Sequence, residues 1–284
     1  RCMHKFRNSG ATVDRLVRYT KDAFELGNID NPRHLLADRV YLFSGTLDSV
    51  VDQSVVSALE EYYKAFVTAP GTIATAMDVQ AEHCLPTIDY GEACADLGSP
   101  FLGNCNFDGA GVALQHMYNN ALSPPNIPTD SYNDMPDGEM TSKNLFTFDQ
   151  TPFIPSLKKT GRVKTDGAAK KGFSTMGDSA LNLGSASQQY SGIGSVGYVY
   201  VPTGCQIDGV KCRVHVSFHG CEQNLELVGD TFARHSGFNA WAETNDIVII
   251  YPYVVVSKVD PVNPNGCWDW WGYTNELYGL RGGV

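Results

Sequence analysis

Short apolar runs alternate with a stretch of helical spacing near the start of the chain. Residues 39–45 are rich in aromatic and aliphatic side chains and end at a glycine, which predicts a strand followed by a loop. Apolar residues between Val55 and Phe66 then recur at intervals of three and four, so they predict an amphipathic helix. A second strand is predicted at residues 72–76, and the order is therefore strand, loop, helix, strand.

The middle of the chain has much weaker periodicity. Asp108 stands where a helix cap is expected, directly before a run of apolar residues with helical spacing. Residues 119–192, which follow, are rich in Pro, Gly, Ser, Asn and Asp. They predict a long surface excursion, roughly residues 120–190, with one short strand at residues 145–148.

The last third of the chain again alternates strands with a helix. Residues 197–202 and 213–218 predict two strands joined by a loop that contains two cysteines. Residues 232–245 predict a helix, and residues 246–251 predict another buried strand. Helices that alternate with apolar strands indicate an α/β fold with a mostly parallel central sheet flanked by helices.

Composition and charge exclude several classes of partner. The 284 residues carry a formal net charge of −10, which argues against a nucleic-acid partner because phosphate binding relies on clustered Lys and Arg. With 43% hydrophobic and 18% charged residues, the chain can bury a substantial core. The longest apolar stretch, residues 247–256, contains Pro252 and predicts a buried strand, so we expect no membrane span.

The beginning of the sequence predicts a truncated chain. It starts at Arg1 without an initiator Met, and residues 1–10 have neither the apolar core nor the cleavage site of a signal peptide. The last residues, 280–284, likewise stop without a recognisable closing element. Groups that the chemistry needs are therefore expected to lie outside these 284 residues.

Cysteine usage favours a secreted protein. The eight cysteines include no CxxC pair, so zinc-ribbon and thioredoxin-type sites lack support. Cys94 with Cys105 and Cys205 with Cys212 bracket short polar loops, which is where an extracellular protein places disulfides. The alternative is eight reduced, mostly buried thiols, and the sequence leaves it open.

Candidate catalytic groups lie in loops that follow predicted strands, where parallel sheets carry their functional residues. Residues 44–51 offer Asp48, a carboxylate that can orient a catalytic imidazole. Farther along the chain, His83 lies in a loop punctuated by proline, and residues 219–223 offer backbone N–H groups for an oxyanion. Taken singly, Asp48 is as well explained as a turn or cap residue, and His83 and His219 as structural histidines.

These segments together resemble extracellular poly(3-hydroxybutyrate) depolymerases. The resemblance is carried by residues 44–48, 83–87, 104–111, 198–202, 219–221 and 263–273, and covers most of the chain except roughly residues 120–190. Their order is similar to the circularly permuted branch of that family, in which the acid and base precede the oxyanion segment. The resemblance implies a single, circularly permuted α/β-hydrolase domain over residues 1–284 in a secreted protein.

By position, the resemblance assigns roles to five residues. It implies that Asp48 is the triad acid, that His83 is the general base, and that the Cys221 N–H lines the oxyanion hole. It implies that Trp270, with Trp268 beside it, contacts polyester in an apolar crevice, where an indole also supplies a hydrogen-bond donor. The alternative for each indole of this segment is a place in the core, and Asp269 is expected to be a structural hydrogen-bonding residue.

The resemblance also implies a disulfide between Cys221 and Cys267, which ties the oxyanion loop to the tryptophan segment. The Cys94–Cys105 and Cys205–Cys212 pairs fit the same pattern. Cys2 then lacks a partner, which in the family lies further upstream, and Cys84 departs from the pattern as a free thiol beside the base.

The nucleophile is the main departure from the family. A serine esterase carries its serine on a G-x-S-x-G turn, and none occurs in the sequence; residues 177–181 have only half of one. In the permuted branch this turn lies upstream, so we expect the serine before Arg1 and no ester turnover by the 284 residues alone.

The resemblance therefore predicts a secreted serine esterase that hydrolyses poly(3-hydroxybutyrate) or a related short-chain polyester. We expect a monomer with a polyester substrate, no metal ion or organic cofactor, and neither a nucleic-acid nor a membrane partner. One alternative is a carbohydrate esterase of the feruloyl or acetylxylan type, because related folds serve both substrates. Another is a catalytically inactive hydrolase scaffold that binds polyester or a protein partner.

Overall fold

The computed structural model describes residues 12–125, 143–154, 192–259 and 262–274. Within these ranges the helices are α1 (Val13–Glu25), α2 (Gln53–Lys64), α3 (Gly109–Met117), α4 (Leu225–Val228), α5 (Thr231–His235) and α6 (Phe238–Asn245). The strands are β1 (Val40–Phe43), β2 (Ile73–Ala76), β3 (Leu85–Thr87), β4 (Glu92–Ala93), β5 (Leu102–Asn104), β6 (Leu145–Asp149), β7 (Val196–Tyr200), β8 (Arg213–Val216) and β9 (Ile247–Tyr251). Short 3₁₀ helices span Pro32–Ala37, Thr151–Phe153 and Thr203–Gln206.

The strands form three hydrogen-bonded sheets in the described part of the chain. Their orders are β1-β2, β3-β5-β4 and β6-β7-β9-β8. The pairs β1–β2, β3–β5, β4–β5 and β8–β9 are parallel, whereas β6–β7 and β7–β9 are antiparallel. The α/β class with mostly parallel strands is thus confirmed, but the described strands do not join into one continuous sheet.

Strand β9 lies at the centre of the largest apolar cluster. It runs between β7 and β8, and its residues Ile247, Ile249 and Tyr251 have no exposed surface. Alternate positions of β9 face the cluster because successive side chains of a strand point to opposite faces. Around them pack apolar residues of α3, α5, α6 and β7, including Leu114, Phe232, Trp241 and Tyr200.

Most predicted elements occur where the pattern places them. The predicted first strand and helix correspond to β1 and α2, and the second strand corresponds to β2. The short strand expected at residues 145–148 is β6. Residues 126–142 and 155–191 lie outside the described residues, so the expected surface excursion stays a prediction.

The continuous helix predicted at residues 232–245 is wrong, because the segment forms two helices. Helix α5 ends at His235 and α6 begins at Phe238. Between them Gly237 has φ of +88°, a left-handed conformation that glycine adopts without strain. A Cβ at this position would lie 3.1 Å from the Ala110 Cβ, so glycine also permits the close approach of α3.

Three disulfides link described cysteines, and all three were expected. They join Cys94 to Cys105, Cys205 to Cys212 and Cys221 to Cys267. Cys84 is a free thiol, as expected. Cys2 lies outside the described residues.

No helix within the described ranges combines the length and the apolar character that crossing a lipid bilayer would require.

Asp108 connects two helices of the core. One carboxylate oxygen caps α3 by accepting the Gly111 N–H at 2.7 Å. The other oxygen accepts the indole N–H of Trp241, on α6, at 2.8 Å. The expected helix cap is confirmed, and the same side chain also satisfies a donor that the core would otherwise bury.

We predict that Asp108→Ala lowers the free energy of unfolding by about 2–3 kcal/mol, because it removes a cap and leaves the Trp241 N–H without an acceptor. Thr12→Ala is the matched control, since Thr12 caps α1 through a single hydrogen bond to Arg15 N. That control should cost about 1 kcal/mol. Urea denaturation of both variants measures the difference, and equal losses would contradict the role given to Trp241.

Candidate active site

The loop after β1 presents a fixed carboxylate. Asp48 Oδ1 accepts hydrogen bonds from the backbone N–H groups of Val50 at 2.9 Å and Val51 at 2.7 Å. Its side chain is only 10% exposed. These contacts hold Oδ1 within its own loop, so Oδ2 is left to face a neighbour.

That neighbour is the imidazole of His83. Nδ1 of His83 lies 3.0 Å from Asp48 Oδ2, so the two predicted residues are brought together. The His83 side chain is 44% exposed and lines an open cleft. With Nδ1 held at the carboxylate, Nε2 is the nitrogen available to take a proton.

The loops that carry Asp48 and His83 are packed directly on each other. Parallel pairing sets Phe43 level with Ala76, so the loops after β1 and β2 start side by side. Leu47 N–H then donates to Ala81 O at 3.1 Å. A Cβ on Gly45 would lie 2.0 Å from Ala81 O, so only glycine allows this approach.

Glu82, which the sequence did not single out, supports both loops. It is 8% exposed, and Oε2 accepts the backbone N–H groups of Ser49 at 3.0 Å and His83 at 2.7 Å. Burial alone raises the pKa of Glu82, but the hydrogen bonds from Ser49 and His83 and the nearby imidazole outweigh burial and lower it. No motif marks this glutamate, because its role depends on a contact between separate loops.

Cys84 is not a competing nucleophile. Burial, followed by the negative charges of Asp48 and Glu82, raises the pKa of its thiol to about 11. The thiol is therefore protonated at neutral pH, whereas a catalytic cysteine attacks as the thiolate.

The second wall of the cleft is the turn after β8. Gly220 N–H donates to the Gln223 side-chain oxygen at 2.7 Å, and Glu222 N–H donates to Asn265 O at 2.7 Å. Cys221, between them, is joined to Cys267. Among the hydrogen bonds of the described residues, none uses the Cys221 N–H, which leaves this donor available to a ligand.

Gln223 holds this turn against the opposite side of the cleft. Its amide nitrogen donates to Pro100 O at 2.9 Å and to Phe101 O at 3.2 Å, while its oxygen accepts Gly220 N–H. The side chain is 5% exposed. Gln223 belongs to the predicted turn of residues 219–223, but nothing in the sequence pattern marks a role for its side chain.

His219 is a structural residue of this turn. It is 2% exposed, and Nδ1 lies 2.6 Å from Gly220 O while Nε2 lies 3.3 Å from Val254 N. These partners require a neutral ring that donates from Nδ1 and accepts at Nε2. Burial lowers the pKa of His219 despite the opposing hydrogen bond to Gly220.

The two walls enclose a cleft of about 710 Å³ with an aromatic rim. His83, Cys221 and Trp270 all line it, and Asp48 stands behind His83. Trp270 is 57% exposed and packs edge-on against Trp271, which also lines the cleft and had no assigned role. The other residues that line the cleft are Val50, Cys84, Leu85, Leu97, Gly98, Phe101, Gly220, Glu222, Gln223, Pro264, Asn265 and Cys267.

Trp268, by contrast, is not among the residues that line the cleft. Its ring packs edge-on against Phe218 at 4.9 Å and lies 5.7 Å from the His219 ring. Asp269 shapes the segment between the indoles by accepting the N–H groups of Gly272 and Tyr273 at 2.6 and 2.9 Å. These hydrogen bonds, with those from Thr274, outweigh burial and lower the pKa of Asp269, as suits a structural carboxylate.

The described residues thus hold an acid–base pair, a free backbone donor and aromatic surface in one cleft. Within residues 12–125, 143–154, 192–259 and 262–274, no three His, Cys, Asp or Glu side chains converge as metal ligands do. No serine hydroxyl in these ranges forms a hydrogen bond with Nε2 of His83. The arrangement suits proton transfer next to an oxyanion, and it needs a nucleophile from elsewhere.

Comparison with known sequences identifies relatives along the whole chain, although no protein-family model matches it. A poly(3-hydroxybutyrate) depolymerase of Delftia acidovorans is 35% identical over 286 residues, covering 100% of this chain and 47% of that protein. A polyhydroxybutyrate depolymerase of Talaromyces funiculosus is 28% identical over 258 residues, covering 87% of this chain and 62% of that protein. The chain thus spans about half to three fifths of the length of these relatives.

Solved structures of PHB depolymerases also match the fold of this chain. The crystal structure of a PHB depolymerase from Penicillium funiculosum matches with a TM-score of 0.72 and 25% identity, covering 96% of this chain and 74% of that one. A serine-to-alanine variant of a PHB depolymerase, complexed with an R3HB trimer, matches with a TM-score of 0.74 and 25% identity. It covers 99% of this chain and 76% of that one. The expected α/β-hydrolase fold is confirmed.

We predict that stability falls as the pH drops below about 6.5, the ordinary pKa of histidine. Burial lowers the folded-state pKa of His219, so the unfolded chain binds the proton more tightly and protonation favours unfolding. The free energy of unfolding should fall by at most about 1.4 kcal/mol per pH unit for this histidine. Urea denaturation between pH 7 and pH 5, at about four pH values, measures the slope.

His219→Gln should reduce this slope without abolishing it, because burial lowers the pKa of His215 as well. His34→Gln, at an exposed histidine, should leave the slope unchanged. The same slope in His219→Gln as in the parent chain would contradict the assignment.

Proposed function

We propose that the intact protein is a secreted serine esterase, because the sequence is 35% identical along the whole chain to a poly(3-hydroxybutyrate) depolymerase. Its substrate is poly(3-hydroxybutyrate) or a related short-chain polyester. The observation that carries the proposal is the Asp48–His83 pair at 3.0 Å in a cleft shared with Cys221 and Trp270. The three disulfides support a protein that works outside the cell.

The reaction follows from the placement of these groups. A serine hydroxyl attacks the ester carbonyl while Nε2 of His83 takes its proton, and Asp48 stabilises the resulting imidazolium. The Cys221 N–H stabilises the oxyanion of the tetrahedral intermediate. His83 then protonates the departing alcohol, and water, activated by the same imidazole, releases the acyl group from the serine.

We place the nucleophilic serine in residues that precede Arg1. The 284 residues contain no G-x-S-x-G turn. One structural neighbour was solved as a serine-to-alanine variant with a trimer bound, which supports a serine that acts on the ester in these proteins. Among the described strands, β1 pairs only with β2, and β8 pairs only with β9, so each has a free edge. The loops that follow β1 and β8 both line the cleft.

β8 is the edge strand of its sheet among the described strands, and its exposed apolar side chains favour a further segment that covers one of its faces. Val214 and Val216 are 58% and 42% exposed, although strands of a parallel sheet normally have both faces covered. A strand that carries the serine and pairs with β8 would place its carboxyl end between the loops of Cys221 and His83.

The cleft suits a polyester better than a charged or strongly polar substrate. Its rim is formed by Trp270 and Trp271, and Leu97, Phe101 and Leu85 add apolar surface. An indole offers an apolar face for the methylated chain and an N–H for an ester carbonyl. The trimer bound by the neighbouring structure supports a crevice that takes several monomer units.

We predict that the full-length protein reacts with a fluorophosphonate at a serine upstream of Arg1 and hydrolyses an R3HB trimer. Because the triad acts as a unit, His83→Ala and Asp48→Asn should each lower kcat/KM by about 10⁴-fold. Mass spectrometry maps the labelled peptide, and chromatography of the released hydroxybutyrate follows hydrolysis.

His34→Ala and Asp149→Asn are the matched controls, one an exposed histidine and the other an exposed carboxylate at the end of β6 that accepts Thr151 N–H and does not line the cleft. Both should keep kcat within about threefold of the parent. Folded full-length protein that takes no label would refute the esterase and leave an inactive binding scaffold. Label without trimer hydrolysis would instead favour a carbohydrate esterase.

A further inference from the structure

A buried carboxylate that the proposed reaction does not use lies between the acid and the base. Glu82 accepts the backbone N–H groups of Ser49 and His83 on the same oxygen, at 3.0 and 2.7 Å. The Ser49 side chain also helps to lower the pKa of this carboxylate by favouring its charged form. Ser49 directly follows Asp48, so one side chain holds the backbone of both members of the pair.

Glu82 continues a row of contacts that joins the two loops. Thr46 N–H donates to Val79 O at 2.8 Å, and Leu47 N–H donates to Ala81 O at 3.1 Å. Past Leu47 the backbones have no such bond, and the Glu82 side chain bridges the loops at Ser49 instead. The last connection before the reacting groups is therefore made by a carboxylate and not by the backbone.

The backbone of Glu82 is itself held by a neighbouring loop. Its N–H donates to Cys94 O at 2.8 Å, and Cys94 is joined to Cys105. Glu82 is 8% exposed, so little of its surface meets water. His83, in contrast, is 44% exposed on its side chain, and Asp48 Oδ2 is its ring's hydrogen-bond partner. The position of the imidazole thus depends on where the backbone of His83 is held.

We propose that Glu82 is a positioning residue, which sets the separation of Asp48 and His83 through the reach of its side chain. The inference rests on the proposed esterase function. Aspartate at this position keeps the charge but is one methylene shorter, so it cannot span from His83 N to Ser49 N. Glutamine keeps the length and one acceptor oxygen but loses the charge.

Two variants of the full-length protein therefore separate reach from charge. Because misplacement by about 1 Å costs about 10²-fold, Glu82→Asp should lower kcat on the R3HB trimer by about that factor, with KM within about twofold. Glu82→Gln should lower kcat by only about three- to tenfold. Fluorophosphonate labelling rates should follow the same order.

Glu243 provides the matched control. Its carboxylate also ties separate segments together, by accepting the Tyr200 hydroxyl at 2.6 Å and Thr203 N–H at 3.2 Å, but it does not line the cleft. Glu243→Asp should lower the melting temperature and leave kcat within about twofold of the parent. Ser49→Ala, at an exposed position, keeps the backbone N–H but removes the side chain that favours the charged form of Glu82, and it should lower kcat by about two- to fivefold even if Glu82→Asp does not fold.

The kcat values of the three variants test the positioning role of Glu82. A larger loss of kcat in Glu82→Asp than in Glu82→Gln supports positioning, as does a loss in Ser49→Ala. A larger loss of kcat in Glu82→Gln than in Glu82→Asp would assign the effect to charge and overturn the proposal. Unchanged kcat in Glu82→Asp, Glu82→Gln and Ser49→Ala would also overturn it, because Glu82 would then be a structural residue only. If the wild-type enzyme is active and either of the last two results is found, only the positioning role of Glu82 is refuted. If the wild type shows neither labelling nor hydrolysis, the proposed esterase function is refuted as well.

Discussion

The close approach of two loops at Gly45 and Ala81 is the constraint on which the site depends. A side chain larger than hydrogen at Gly45 would meet the Ala81 carbonyl, so the loops after β1 and β2 pack backbone against backbone. Beyond that contact, Asp48 and His83 stand 3.0 Å apart. The contact between Asp48 and His83 therefore starts from two parallel neighbouring strands whose loops leave level with each other.

The opposite wall is built on a different principle. Where the acid and base loops hold each other by hydrogen bonds, the turn of Cys221 is held by a covalent link to Cys267 and by the Gln223 amide. The disulfide and these hydrogen bonds restrict how far the Cys221 N–H can move. The aromatic rim at Trp270 and Trp271 is exposed, and its segment is shaped by the Asp269 turn and by the disulfide at Cys267.

What the sequence could predict follows from how local each feature is. The strands, α2 and the Asp108 cap depend on residues close in sequence, and so does the position of Asp48 and His83 at strand ends. The break at Gly237 depends on the approach of Ala110 from another helix, and Glu82 and Gln223 act through contacts between distant loops. Which indole faces the cleft likewise depends on the turn around Asp269, so the place of Trp271 could not be predicted from spacing.

The Cys221–Cys267 disulfide also determines how firmly two segments of the cleft are held together. A disulfide forms in an oxidising compartment and not in a reducing cytoplasm, where both sulfurs remain thiols. Until oxidation, the turn that presents the Cys221 N–H is tied to the Trp270 segment only by weak bonds such as Glu222 N–H to Asn265 O. Reduction of this one bond would therefore loosen the turn of Cys221 and the Trp270 segment together, although the two cysteines are 46 residues apart in the sequence.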